Sequence, residues 1–395
     1  MIFFHVLSTS TPSKHFEGFL FERGLCMNEQ YMKEAINLAK LGIGRTNPNP
    51  LVGCVIVKDD RIIATGYHHY CGGVHAEVDA LMNATEDVSD ATMYVTLEPC
   101  SHHGKQPPCC EAIVRSNIKK VVIATLDPNP VVHGNGVAYL LNHDIDINIG
   151  LCEDDAIMMN SKFNHYITQK TPYVLIKAAM TLDGKIATKT GESKWISSPD
   201  SLEYVHQLRH EYASIAVGVN TVIVDNPSLT IRIKDEEERS HKRIIFDSKG
   251  RIPLNSKVLN DAFAHQTIVI TTNSMPDNIR DAILKCGAQV IKVTSLDGHV
   301  DIREAMKALG KLNIDSCFIE GGSEIIASAF KANVVNEVSI CIAPKLIGGQ
   351  EAKGFMADIG VEKLSDAIQL EFTGMTPMKT DIILHAKVVS TCSQD

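Results

Sequence analysis

Three residues of metal-binding type stand in the first third of the chain at spacings that a fold must close onto one point. His75 opens the triplet His75-Ala76-Glu77, Cys100 closes Glu98-Pro99-Cys100, and Cys109 follows in a Cys-x8-Cys spacing. One imidazole and two thiolates form a ligand set that Zn²⁺ favours, and three protein ligands leave a coordination position open for water. Open zinc sites are catalytic, because the metal brings the pKa of the water it holds towards neutrality. Glu77 is near enough to His75 to reach that water without ligating. There it can take a proton and hand it on to a leaving amine. A closed structural site would need a fourth ligand, for which Cys110 is the near candidate. Adjacent residues at a helix start point in different directions, which makes Cys110 awkward beside Cys109. The expectation is an open site with His75, Cys100 and Cys109 as ligands, one Zn²⁺ per chain, and Glu77 as proton carrier.

The rest of the chain alternates helical and strand patterns. Its 395 residues fit two or three domains. Residues 28–42 carry apolar side chains at helical spacing, and 45–50 is a Pro/Asn loop that cannot be helical. Strands are expected at 53–57 and 61–66 around an Asp59-Asp60 turn, at 92–97 and at 121–125, with helices at 75–84 and 109–116. Gln169-Lys170-Thr171-Pro172 reads as a linker. A second series follows, with strands at 174–178, 215–219, 243–246, 267–271, 290–293 and 316–319. Its helices fall near 199–211, 277–285, 301–312 and 323–332, and more strand is expected at 336–343 and 381–389. Both halves are therefore layered α/β units. The run Lys234–Arg243 is read as a solvated loop. The expected division is an extension at 1–26, a first domain at 27–171 and a second at 172–395. The extension lacks a basic n-region and a small-residue cleavage site, which makes it a poor signal peptide. It is read as an accessory segment or the product of an upstream start site.

Composition removes several function classes. There are 47 acidic against 38 basic residues, a formal charge of −9, and aromatics make up only 6%. Nucleic-acid binders need basic surface and stacking side chains, so no nucleic-acid partner is expected. No apolar run approaches the ~20 residues needed to cross a bilayer. Eleven scattered cysteines do not form a disulfide framework, and a reducing cytoplasm is expected.

The His-x-Glu, Pro-Cys and Cys arrangement is that of the zinc deaminases, except that the usual Cys-x-x-Cys is lengthened to Cys100-x8-Cys109. With Thr46-Asn47-Pro48-Asn49-Pro50-Leu51-Val52-Gly53 and the segment from Glu98 to Cys109, the chain from about Met27 onwards resembles the bifunctional deaminase–reductases of riboflavin biosynthesis. The resemblance implies a cytidine-deaminase-like three-layer N-terminal domain. That domain would remove the 2-amino group of a diaminopyrimidinone ribosylamine 5′-phosphate. Asn49, His68, His102 and Lys105 then match substrate-pocket positions. Asn49 can pair with an amide-like ring edge, while Lys105 and the histidines suit a phosphate. The bland readings are a turn-former at Asn49 and surface residues at the other three.

The second half has no Gly-x-Gly-x-x-Gly after a strand, so a Rossmann dinucleotide site is not supported. Glu320-Gly321-Gly322-Ser323, placed between a strand and a helix, is either an anion-binding helix start or a tight turn. Segments 177–187, 191–197 and 218–232 resemble the family's reductase domain. This implies a dihydrofolate-reductase-like fold that uses NADPH to reduce the ribosylamine C1′ to a ribitylamine. By position, Ala179, Trp195, Thr221, Asp225, Ser248 and Gly322 would meet NADPH. Ser193, Arg209, Leu229, Arg232 and Glu320 would meet the substrate. Arg209 and Arg232 suit phosphate as planar forks. Asp225 or Glu320 could assist proton delivery, their plain alternatives being a turn aspartate and a helix-capping carboxylate. Lys177 is read either near the substrate or as a strand-end surface residue. The expected partner is a phosphorylated pyrimidine, and the family resemblance implies self-association.

Overall fold

The computed structural model describes residues 29–103, 107–130, 132–234 and 237–389. The extension expected at 1–26 and the candidate Lys105 lie outside the described residues.

The first domain runs α1(Glu29–Lys40), β1(Gly53–Lys58), β2(Arg61–Tyr67), α2(Ala76–Met82), β3(Thr92–Val95), α3(Cys109–Arg115), β4(Lys120–Ile123), α4(Asn135–Leu141), β5(Asp146–Ile149), α5(Glu153–Met159) and α6(Ser161–Gln169). Its sheet has the order β2-β1-β3-β4-β5. The first three strands are antiparallel neighbours, and β3, β4 and β5 are parallel. β1 and β2 close a hairpin at Asp59 and Asp60. Both have positive φ, 49° and 57°, the conformation of a type I′ turn. Strand alternation then builds three layers. Cys54 and Ile56 of β1 pack with Ala80, Ile113 and Val137 of α2, α3 and α4. Val55 and Val57 point the other way and pack with Met32, Ala35 and Ile36 of α1.

The second domain runs β6(Tyr173–Thr181), α7(Pro199–Glu211), β7(Ser214–Gly218), α8(Val219–Asp225), β8(Lys242–Phe246), α9(Lys257–Asn260), β9(Thr267–Thr271), α10(Asp277–Lys285) and β10(Gln289–Lys292). It continues through a short hairpin, β11(Ser295–Leu296) and β12(His299–Val300), to α11(Ile302–Lys311), β13(Ser316–Ile319), α12(Ser323–Lys331), β14(Glu337–Ala343), β15(Leu370–Pro377) and β16(Ile382–Val388). Nine strands form one sheet in the order β10-β9-β8-β7-β13-β6-β14-β16-β15. It is parallel as far as β14 and then antiparallel. After stepping outward from β7 to β10, the chain returns to insert β13 between β7 and β6. At a reversal of this kind, here at the carboxyl ends of β7 and β13, open α/β sheets form the crevice in which ligands bind.

Some expected elements differ. The strand expected at 215–219 ends at Gly218, and Val219 begins α8, in which Val219 and Val222 are buried one turn apart. Asp225 is therefore the last residue of a helix, followed by Asn226 in the left-handed region (φ 42°). α5 and α6 had no counterpart in the sequence reading. They are short and polar, and bury only Ala156, Phe163 and Tyr166, too few to mark a helical period.

The solvated reading of 234–243 fails at Arg243, which is fully buried. Its guanidinium pairs with both carboxylate oxygens of Asp261 (2.6 and 2.9 Å) and donates to Thr267 Oγ1 and to the carbonyls of Ser228 and Val258. Such a charge stays buried because its donors are satisfied. Arg243→Met, which keeps the volume and deletes the fork, is expected to destabilise the chain by about 3–5 kcal/mol, the cost of breaking a buried pair. Denaturant unfolding checks this, and a loss below about 1 kcal/mol contradicts it.

Candidate functional site

The metal-type residues are carried by three different elements. His75 is the N-cap of α2, Cys100 lies in the segment after β3, and Cys109 is the first residue of α3. His75 Nδ1 lies 3.2 Å from Cys109 Sγ and 3.5 Å from Cys100 Sγ, and all three ligand atoms fall within 4.8 Å of one another. A tetrahedral ion with arms of about 2.1–2.3 Å needs ligand separations near 3.5–3.8 Å, so the donor set fits Zn²⁺ with small adjustment. Cys110 points away, its thiol donating to the carbonyls of Pro99 and Gly136. It supplies no fourth ligand, and the described ligand set stays at three.

Glu77 is buried one residue inside α2. Burial, reinforced by the Cys100 thiolate, pushes its carboxyl up to about 7. The Cys100 thiol is drawn down to about 4, chiefly by the hydrogen bond from the Cys109 thiol, with His75 adding to it. Cys109 is pushed well up by its bond to Cys100 and by burial. A dication would convert both to thiolates.

The sequence reading gave Glu98 no role. In the fold its carboxylate accepts four backbone N–H bonds, from Asp127 (3.2 Å), Gly134 (3.0 Å), Gly136 (2.9 Å) and Val137 (3.3 Å). This ties the Pro99-Cys100 segment to the loop after β4 and the start of α4. A side chain at Gly136 would place Cβ 2.0 Å from the Pro99 carbonyl oxygen, so glycine is required there.

Beside these residues is a cavity of about 380 Å³, lined in part by Asn49, His68, His102, Asp127, Phe163 and Tyr166. Asn49 Nδ2 lies 3.1 Å from His68 Nε2, and His68 Nδ1 lies 2.9 Å from the Val74 carbonyl. The carbonyl can only accept, so His68 Nδ1 carries the proton and Nε2 accepts from Asn49. Burial also lowers the His68 pKa. Both His68 nitrogens are engaged in this arrangement, and the ring orients Asn49. His102 is exposed at the cavity rim. Asp127, which the sequence reading missed, is pushed up to about 6 by burial. The signal was available, because Asp127-Pro128-Asn129-Pro130 echoes Asn47-Pro48-Asn49-Pro50, and both loops line the cavity.

In the second domain the crevice gathers part of the expected set. Gly218 ends β7, and Glu320-Gly321-Gly322 follows β13 and leads into α12. The Cβ position at Gly321 lies 3.8 Å from Gly218 N, and around Gly322 there is open space. Arg209 pairs with Glu320 at 2.6 Å and donates to the Thr230 carbonyl at 2.9 Å. The phosphate fork expected at Arg209 is thus engaged by protein groups. Arg232, half-exposed and bonded to Thr230 Oγ1 and His206, is the better placed of the two for a ligand. Lys177 lies mid-strand in β6 and is no strand-end surface residue. Burial lowers its ammonium pKa, opposed by Glu320.

Asp225 pairs with Lys194 at 3.1 Å, beside Ser193 and the exposed Trp195 in sequence. Ala179 lies two residues past Lys177 on β6, and Thr221 is on α8. Ser248 Oγ accepts from Val300 N at 3.0 Å, and Leu229 is buried with φ 52°, so it could offer a ligand little beyond its backbone.

Comparison with known proteins gives two family matches: "Cytidine and deoxycytidylate deaminase zinc-binding region" over residues 26–125 and "RibD C-terminal domain" over 172–384. The riboflavin biosynthesis protein RibD of Actinobacillus pleuropneumoniae is 43% identical over 360 residues, covering 91% of this chain and 95% of that protein. The Aquifex aeolicus protein of the same name is 41% identical over 363 residues, covering 91% and 98%. Among solved structures, Acinetobacter baumannii RibD superposes with a TM-score of 0.82 at 34% identity, covering 91% of this chain and 98% of that one. The Thermotoga maritima diaminohydroxyphosphoribosylaminopyrimidine deaminase/5-amino-6-(5-phosphoribosylamino)uracil reductase gives 0.78 at 37%, with coverage of 91% and 98%. These matches support zinc in the first domain, and no described helix is long and apolar enough to cross a membrane.

The raised Glu77 carboxyl has a consequence for the metal-free chain. A carboxyl whose folded pKa exceeds its unfolded value favours the fold below the unfolded pKa, near 4.5, and that benefit is lost as pH rises through about 7. Metal-free Glu77→Gln is therefore expected to melt above metal-free wild type at pH 8, with the gap closing by pH 5. Equal melting temperatures at pH 8 would show that burial does not penalise this carboxylate.

Proposed function

The chain belongs to the bifunctional deaminase–reductase family of riboflavin biosynthesis, and from that premise we propose which residues carry each reaction. The chain is a zinc-dependent deaminase joined to a reductase, and it acts on a small molecule. The proposed substrate is 2,5-diamino-6-ribosylamino-4(3H)-pyrimidinone 5′-phosphate, which loses its 2-amino group as ammonia. The deaminated product is then reduced at C1′ with NADPH to give the ribitylamino side chain.

One observation carries the deaminase assignment: a buried carboxyl, Glu77, lies beside three converged ligand atoms at the wall of a cavity. His75, Cys100 and Cys109 would hold zinc, which when bound would acidify the attacking water. Glu77 takes the proton from water as the C2–O bond forms, then returns it to the amino nitrogen as the C–N bond breaks. Its burial beside the ligand atoms keeps bulk water from competing for that proton. Asn49, held by His68, pairs with the ring edge. His102 and Lys105 are proposed at the phosphate end.

For the reductase, the crevice between β7 and β13 supports a site for NADPH along Ala179, Trp195, Thr221, Asp225, Ser248 and Gly322, with hydride transfer as the cofactor's contribution. Ser193, Leu229, Arg232, Lys177 and the Arg209–Glu320 pair would face the substrate. Opening of the ribosyl ring breaks the C1′–O bond and gives an imine. Reduction adds hydride at C1′ and a proton at nitrogen. Glu320, buried against Arg209 and near Lys177, is the better proton-relay candidate, because Asp225 sits at the rim paired with Lys194.

Glu77→Ala is expected to abolish ammonia release while NADPH oxidation with pre-deaminated substrate persists. Loss of both activities in a folded chain overturns the assignment of two separate sites. Glu320→Gln is expected to slow NADPH oxidation by roughly 10²-fold, the scale of one general acid–base group, with ammonia release retained. Unchanged oxidation would move the proton relay to another residue.

A further inference from the structure

The loop that lines the deaminase cavity is anchored in the reductase domain. In Asn47-Pro48-Asn49-Pro50 the two asparagines have opposite duties. Asn49 faces the cavity. The Asn47 amide donates to both carboxylate oxygens of Asp315, at 3.0 and 2.8 Å. Asp315 is only 2% exposed and immediately precedes β13. Its carboxylate is itself held by Ser316, whose Oγ donates to Oδ1 at 2.7 Å and accepts from Ala213 N at 2.9 Å.

Between the two asparagines the chain has little freedom. Pro48 and Pro50 fix two φ angles, and Asn49 N donates to the Thr46 carbonyl at 2.7 Å. A shift of Asn47 is therefore passed on to Asn49. A second tether acts on the same wall. α6 contributes Phe163, Tyr166 and Ile167 to the cavity. The Tyr166 hydroxyl also lies 3.1 Å from both the Gly310 carbonyl and Asn313 Oδ1, which belong to the reductase domain.

We propose that Asp315 of the reductase domain is a positioning residue for deamination: through Asn47 it sets the place of Asn49, and with it substrate affinity at the deaminase site. This rests on the deaminase reading of the first domain. It assigns the second domain a duty besides reduction, and it places that duty in substrate binding, because neither Asn47 nor Asp315 touches the metal ligands or Glu77.

The test uses the full-length, zinc-loaded chain and the diaminopyrimidinone ribosylamine 5′-phosphate, with ammonia release followed against substrate concentration. Asn47→Asp sets a carboxylate against Asp315. It is expected to raise KM for deamination about tenfold, the scale of one charge-assisted hydrogen bond, with kcat less affected. Zinc content and NADPH oxidation with pre-deaminated substrate should stay at wild-type levels. The double variant Asn47→Asp/Asp315→Asn reverses donor and acceptor across the same contact, and should bring KM back to within about twofold of wild type. If Asn47→Asp does not fold, Asn47→Ala gives the same comparison without repulsion and should show the same rise in KM. Wild-type KM in the single variants, or a double variant as impaired as Asn47→Asp, overturns the proposal alone. Absence of ammonia release from the wild-type chain overturns the deaminase reading beneath it.

Discussion

The buried Glu98 carboxylate accepts four backbone N–H groups, and the geometry of the first domain's site follows from that arrangement. A carboxylate removed from water is costly unless its lone pairs are filled. Filling them here requires the segment after β3, the loop after β4 and the start of α4 to come together. Once they do, Pro99 packs over Gly136, Cys110 turns inward to the Pro99 and Gly136 carbonyls, and Cys109 is left facing Cys100 and His75. The cysteines therefore converge before any ion is considered. The carboxylate that organises the loops differs from the one placed to move protons. Glu98 is saturated by backbone donors, whereas Glu77 is buried next to the ligands with its carboxyl raised.

The second domain uses a different device. Its crevice exists because β13 inserts beside β7 after the chain has travelled outward to β10, a reversal set by topology. At the end of β13 a Cβ on Gly321 would lie 2.2 Å from Ile325 Cγ2, so glycine is needed there, and the neighbouring Glu320 carboxylate is paired with Arg209. β13 also connects the two halves. Asp315, just before it, meets the loop of the first domain, and Glu320, just after it, pairs with Arg209. A strand that short between two sites is a stiff connection.

Most of the regular structure was legible in the chain. Short continuous apolar runs marked β1, β7, β8, β9 and β13, which are buried on both faces, and the 3.6-residue period marked α1, α7 and α11, each of which buries one face. The reading failed where burial is sparse. α5 and α6 present too few apolar residues for a period, yet α6 supplies a wall of the cavity. It also failed where a polar residue is buried by partners distant in sequence. Arg243 lies within a charged run and resembles a solvent-facing residue. Only the approach of Asp261 and Thr267 makes its burial tolerable. The engagement of both His68 nitrogens, by Asn49 and by the Val74 carbonyl, likewise has no local sequence pattern.

What the sequence determined by itself was chemical identity: which side chains can ligate zinc, which carboxylate lies within reach of them, and which loops proline and asparagine keep irregular. Those are properties of residue type and short spacing, and they hold whatever the remainder of the chain does. The tertiary structure decided which polar groups are still free to act. Hydrogen-bond capacity is taken up by partners as far as 268 residues away, as Asn47 and Asp315 are. Asn47 and Asn49, Arg209 and Arg232, and Glu77 and Glu98 are pairs alike in type whose members take different duties once the fold has assigned their neighbours.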